Sequence, residues 1–242
     1  MAYDFVLFAP DEKLLLGSRA WQQLRLRLDK AETTTTEELL SLRDTINAQA
    51  QHLPQEGITL ADSTTIVRGD RCLVVSVTED SLQDAAVWLL SLATQQHLGL
   101  ATATDKEVIL VGDEITEFST ETASLDLPVV SPGSVKELLR EVESDQVEAA
   151  DDDFVANMLI VSDNEATEQY LQATYSAESA DWLVELRQGS VAKHWQTRIA
   201  SLDEVQSIFS SFINRDKGLR SQYPWKHLEI PEAAIDYRDH DH

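Results

Sequence analysis

Along the first half of the chain, apolar positions change period several times. Tyr3-Asp4-Phe5-Val6-Leu7-Phe8-Ala9 is a short aromatic and β-branched run closed by Pro10, which predicts a buried strand. Two helical stretches follow: Leu14, Trp21, Leu24 and Leu28 share one face, and Leu39, Leu42, Ile46 and Leu53 share another behind a capping box of Thr35 and Glu38. Cys72 to Val77 reads as a central strand. Thr78 is expected to cap a helix striped by Leu82, Ala85, Ala86, Leu89 and Ala93, ending before Gly99. Leu100 to Thr102 and Glu107 to Val111 then form a hairpin around Asp105-Lys106. The order predicts an α/β sandwich over residues 1–115, one sheet covered by helices on one face.

Between Gly112 and Val130 the periodicity fades and Ser, Thr and acidic residues accumulate, so 116–132 is expected to be a linker. Residues 133–230 read as an α+β domain, an antiparallel sheet packed with helices. Ser134 and Glu137 form a capping box before Val135, Leu138, Leu139 and Val142 on a short helix. The runs Phe154 to Val161, Gln169 to Tyr175, Trp182 to Arg187 and His194 to Ile199 predict a four-stranded meander. The clearest helix closes the domain: Ser201 caps it, Glu204 completes the box, and Val205, Ile208, Phe209, Phe212 and Ile213 are buried. Residues 231–242 are a polar tail. The fold class is thus mixed α/β and α+β in two domains.

Charge changes this picture more than any motif. The 43 acidic and 19 basic side chains among 242 residues give a formal net charge of −24. A field of that sign repels nucleic acid and anionic lipid and steers a basic protein partner. From Glu141 to Asp153 there are seven carboxylates and no base: Glu141, Glu143, Asp145, Glu148, Asp151, Asp152 and Asp153. The segment is expected to be an acidic loop, solvated or used as a docking surface. It lacks the alternating ligands, central Gly and distal Glu of a calcium loop.

No apolar run approaches the roughly 18 residues that cross a bilayer, and the N-terminus lacks a signal-peptide pattern, so a cytoplasmic location is expected. The lone cysteine, Cys72, can form no intramolecular disulfide and reads as a buried apolar side chain. The sequence contains no phosphate-cradling glycine loop, GxSxG elbow or histidine pair at metal-ligand spacing, so no cofactor, metal or catalytic residue is expected. Trp182 and Trp195 are expected in the core. Trp225, in Gln222-Tyr223-Pro224-Trp225-Lys226, is divided between core and interface anchor.

Tyr170-Leu171-Gln172-Ala173, Trp182-Leu183-Val184-Glu185-Leu186-Arg187-Gln188-Gly189, His194-Trp195, the helix from Ser201 through Phe212, and Tyr223-Pro224-Trp225 together span about Gln169 to Trp225. This pattern resembles small immunity proteins encoded beside polymorphic, contact-delivered bacterial toxins. Tyr3 to Leu7 and the helix-Gly99-Leu100 turn are similar to pieces of a separate immunity-type domain. The resemblance implies an acidic intracellular inhibitor that occludes a cognate toxin with a basic surface, and it brings no catalytic residues. Glu141, Glu143, Asp145, Asp151, Asp152, Asp153 and Trp225 are the candidate contacts. An adaptor in a secretion or regulatory assembly, or a hydrolase built on two remote carboxylates, are the alternatives from other classes.

Overall fold

A computed structural model describes residues 2–11, 13–17, 19–61, 65–148 and 157–228. The protein is mixed α/β with two antiparallel sheets, and the chain divides into two compact units, Met1–Glu114 and Ile115–His242.

In the first unit, β1 (Ala2–Phe8), β2 (Ile66–Arg68), β3 (Cys72–Thr78), β4 (Gly99–Thr102) and β5 (Glu107–Val111) form a five-stranded sheet of order β2-β3-β1-β4-β5. The central β1 runs antiparallel to both neighbours, with Phe5 opposite Val75 and Thr102, and Leu7 opposite Leu73 and Leu100. Helix α1 (Ala20–Leu28) packs against β5, α2 (Glu37–Gln49) against β2 and β3, and α3 (Leu82–Gln95) against β3, β4 and β5. Arg27 of α1 is buried; its Nη2 donates to the Ala9 and Arg71 carbonyls, its Nε donates to the Asp70 carbonyl, and its guanidinium lies over the Phe8 ring. That group ties α1 to the ends of β1 and β3 through carbonyls just beyond the strands, of which Arg71 O also accepts from the Ala9 amide at 3.1 Å. Gly99 is required where it stands, because an added Cβ would lie 2.0 Å from Phe8 Cε2.

Several expected boundaries move. Leu14 is buried but precedes α1, and Leu53 is buried in a 3-10 turn beyond α2. Thr36, not Thr35, caps α2, accepting from the Leu39 amide at 3.3 Å. Thr78 does not cap α3, since a 3-10 turn over Glu79–Ser81 intervenes and the Ser81 hydroxyl instead accepts from the Thr59 amide. The Cys72 side chain is buried as expected, and burial pushes its thiol up to about 11.

The second unit is a seven-stranded antiparallel sheet. Its strands are β6 (Phe118–Glu121), β7 (Asp126–Leu127), β8 (Met158–Asp163), β9 (Gln169–Ser176), β10 (Asp181–Gln188), β11 (His194–Ile199) and β12 (Lys226–His227), in the order β12-β11-β10-β9-β8-β6-β7. The expected four-strand meander forms its centre. The segment 116–132, expected as a linker, is built into this sheet: β6 pairs with β8, β7 with β6, and Phe118, Thr120, Leu127, Val129 and Val130 are buried. Its apolar content is low because strands this short, β6 beside β8 and β7 at the edge, need only a few apolar positions to hold them.

Helices α4 (Val135–Glu148) and α5 (Leu202–Ile213) pack on each other and both on β9, with α4 also on β8 and α5 also on β10 and β11. They therefore share one face of the sheet. Ser201 caps α5 through the Glu204 amide as expected, and Phe212 meets Phe118 edge to face at 5.6 Å. Trp182 and Trp195 fill the layer between sheet and helices, and a short helix α6 (Leu219–Gln222) follows α5.

Candidate functional site

The sheet of the second unit has two chemically distinct faces, fixed by the alternation of strand side chains. Toward the helices point Leu159 and Val161 of β8, Leu171 and Ala173 of β9, Trp182, Val184 and Leu186 of β10, and Trp195, Thr197 and Ile199 of β11, all buried. The opposite face carries neither α4 nor α5. Register sets its side chains in cross-strand rows: Ser162, Tyr170, Arg187 and His194 in one; Ile160, Gln172, Glu185 and Gln196 in the next; Met158, Thr174, Leu183 and Arg198 in the third. Most of these residues are only half-exposed.

The polar groups of this face form a connected set. Gln172 Nε2 donates to Glu185 Oε2 at 2.5 Å, and Glu185 Oε2 lies 3.5 Å from His194 Nε2. Arg187 pairs with Glu168, and Arg198 with Asp181 at 2.6 Å. The Tyr170 ring stands edge-on to His194 at 6.0 Å. His194 is buried, 4% exposed, and neither ring nitrogen has a hydrogen-bond partner, nor does Arg187 Nε. Burial holds the imidazole below its ordinary value, against the raising pull of Glu185, so the ring is neutral near pH 7. Met158, Ile160 and Leu183 add apolar surface beside these groups.

The residues singled out in the sequence lie elsewhere. Glu141, Glu143 and Asp145 are on α4, so this part of the acidic run is helix and not loop. The buried stripe of Val135, Leu138, Leu139 and Val142 holds the helix on the sheet and carries it into the acidic stretch. Helical spacing puts Glu141 and Asp145 on one side of α4 and Glu143 on the other. Asp145 accepts from Asn157 Nδ2 at 2.6 Å, which ties the helix to the residue before β8. Asp151, Asp152 and Asp153 lie outside the described residues. Trp225 is half-buried beyond α6, with its Nε1 donating to the Leu219 carbonyl at 3.1 Å. It precedes β12, three strands from the β9 strand under α4, so Trp225 and the α4 carboxylates do not form one patch.

Elsewhere, Glu114 is buried and accepts from the Val111 and Gly112 amides at 2.5 and 2.8 Å, closing the turn after β5; burial raises its carboxyl. Among the described residues, no group of three or more His, Cys, Asp or Glu side chains is placed to hold a metal ion, and no helix is long and apolar enough to cross a membrane. Comparison with family models, with curated proteins and with solved structures gives no match for this chain.

Proposed function

We propose that this chain is an immunity protein, which binds and sterically inhibits a cognate secreted antibacterial toxin and so protects the producing cell. The observation that carries the reading is the face of the second sheet opposite α4 and α5. It combines Tyr170, Met158, Ile160 and Leu183 with Arg187, Glu185 and Gln172, and these side chains are half-buried and partly paired before any partner arrives. Aromatic, methionine and arginine side chains on a preorganised surface are the composition of protein interfaces, where binding energy concentrates in a few well-packed groups. The resemblance over Gln169 to Trp225 falls on the strands that build this face. The net charge of −24 supports a basic partner, captured quickly through long-range attraction.

Inhibition by occlusion requires only a surface that fits over the toxin's working site and a slow off-rate. Co-expression tests this directly. The toxin encoded beside this gene should arrest growth when produced alone, be neutralised by this chain, and copurify with it. A toxin that remains active in the presence of a molar excess of the chain removes the reading.

A further inference from the structure

On the sheet face opposite α4 and α5, β8 to β11 present five side chains that can carry charge besides the tyrosine: Asp181, Glu185, Arg187, His194 and Arg198. Four are already accounted for. Arg187 is paired with Glu168, and Arg198 with Asp181, while burial keeps His194 neutral. Glu185 differs from all of them. Its Oε2 accepts from Gln172, its side chain is 14% exposed, and Oε1 has no hydrogen-bond partner among the described residues. It sits in the middle row, with Ile160 and Gln172 on one side, Gln196 on the other, and Leu183 two residues before it on the same strand.

A carboxylate that is largely desolvated and held by a neighbouring amide, with one oxygen unused, attracts a cation more strongly than the solvated carboxylates elsewhere on the chain. Leu183 on the same strand, with Ile160 two strands away, adds apolar surface near the contact. His194, 4% exposed, lies with its Nε2 3.5 Å from Glu185 Oε2 and backs that side of the carboxylate. Resting on the immunity reading, we propose that this sheet face is where the basic partner docks, and that Glu185 receives a lysine or arginine side chain of that partner. The carboxylates of α4 then act at longer range, on the encounter and not on the docked contact.

The test uses the full chain and the toxin protein encoded beside it, with association and dissociation rates followed separately. Glu185→Gln keeps the side-chain shape and an oxygen for Gln172, so its thermal midpoint should stay close to that of the unmodified chain. Its Kd should rise at least tenfold, almost wholly through faster dissociation. Leu183→Ser, on the same face, should weaken binding in the same manner. Glu143→Gln on α4 should change Kd less than twofold and act on the association rate. If Glu185→Gln and Leu183→Ser both bind like the unmodified chain, the docking assignment is wrong while the immunity reading stands. If the unmodified chain does not bind the toxin at all, both fall together.

Discussion

The central strand of the first sheet and the central strands of the second meet opposite demands. In β1, Phe5, Val6, Leu7 and Phe8 are each no more than 1% exposed, so consecutive residues on both sides of the strand are sealed in. In β9 and β10 burial alternates strictly over Leu171 to Thr174 and Trp182 to Arg187, with one set of positions buried and the other half-exposed. A strand buried on both sides has no side chain to spare for a ligand. A strand buried on one side supplies a row of them on a rigid support. The charge follows the same division: residues 115–242 hold 25 acidic and 10 basic side chains, against 18 and 9 in residues 1–114. The end of β1 is thus a closed core element, while β9 and β10 form one side of an open surface.

Truncations should expose this contrast most sharply. Phe8→Ala is expected to cost about 3–5 kcal/mol of unfolding free energy, because it removes a fully buried ring and the surface on which Arg27 rests. Leu183→Ala, on the helix-free face of the second sheet, should cost less than about 1.5 kcal/mol, since its side chain is only partly buried. Paired denaturant titrations measure both, and similar losses would erase the distinction. Gly99→Ala comes next, at about 1–3 kcal/mol, because the new methyl must displace the Phe8 ring from a packed site.

The pH-dependent effects are smaller and have defined signs. His194 has a folded-state pKa below its unfolded value, so the unfolded chain takes up the proton first and stability falls as pH drops below about 6.5. His194→Gln should flatten that part of the curve between pH 6.5 and 5, read from thermal midpoints across the range. A decline of unchanged slope would place the responsible group elsewhere. In the first unit, Asp70 is held down to about 2 by hydrogen bonds from Lys30 and Thr34, with Arg71 nearby. Its contribution is therefore present above the ordinary carboxylate range and lost as pH falls from about 4 toward 2. Asp70→Asn should reduce the acid-side slope and leave stability at pH 7 lower by about 1 kcal/mol or less, because the site is close to solvent.

Much of this contrast was legible in the residues. The continuous apolar run of β1 and the alternation in Trp182-Leu183-Val184-Glu185-Leu186-Arg187 already distinguish a strand buried on both sides from one buried on a single side. The same alternation puts Glu185 and Arg187 away from the core. It does not reveal that His194, across the next turn, stands opposite Arg187, because pairing register depends on the turn and on packing of the whole sheet. Short strands such as β2, β6, β7 and β12 leave almost no periodic signal of their own, and neighbouring strands define them. The acidic end of α4 was misjudged for a related reason: its carboxylates suggest a loop, yet the buried stripe preceding them decides the local structure.

The seven-stranded sheet ends at both sides in strands of only two residues, β7 and β12, the first carrying Asp126 and the second Lys226. Among the described residues, such margins offer little free backbone to recruit another strand, which disfavours recognition by ladder extension at the edges of this sheet. A partner docking on this sheet, as proposed, would be read by side chains standing on the broad surface. Those side chains can be exchanged one at a time without disturbing the layer beneath. Under the proposed immunity function, specificity for one toxin over its close relatives would become a matter of surface substitutions, made while the core stays fixed.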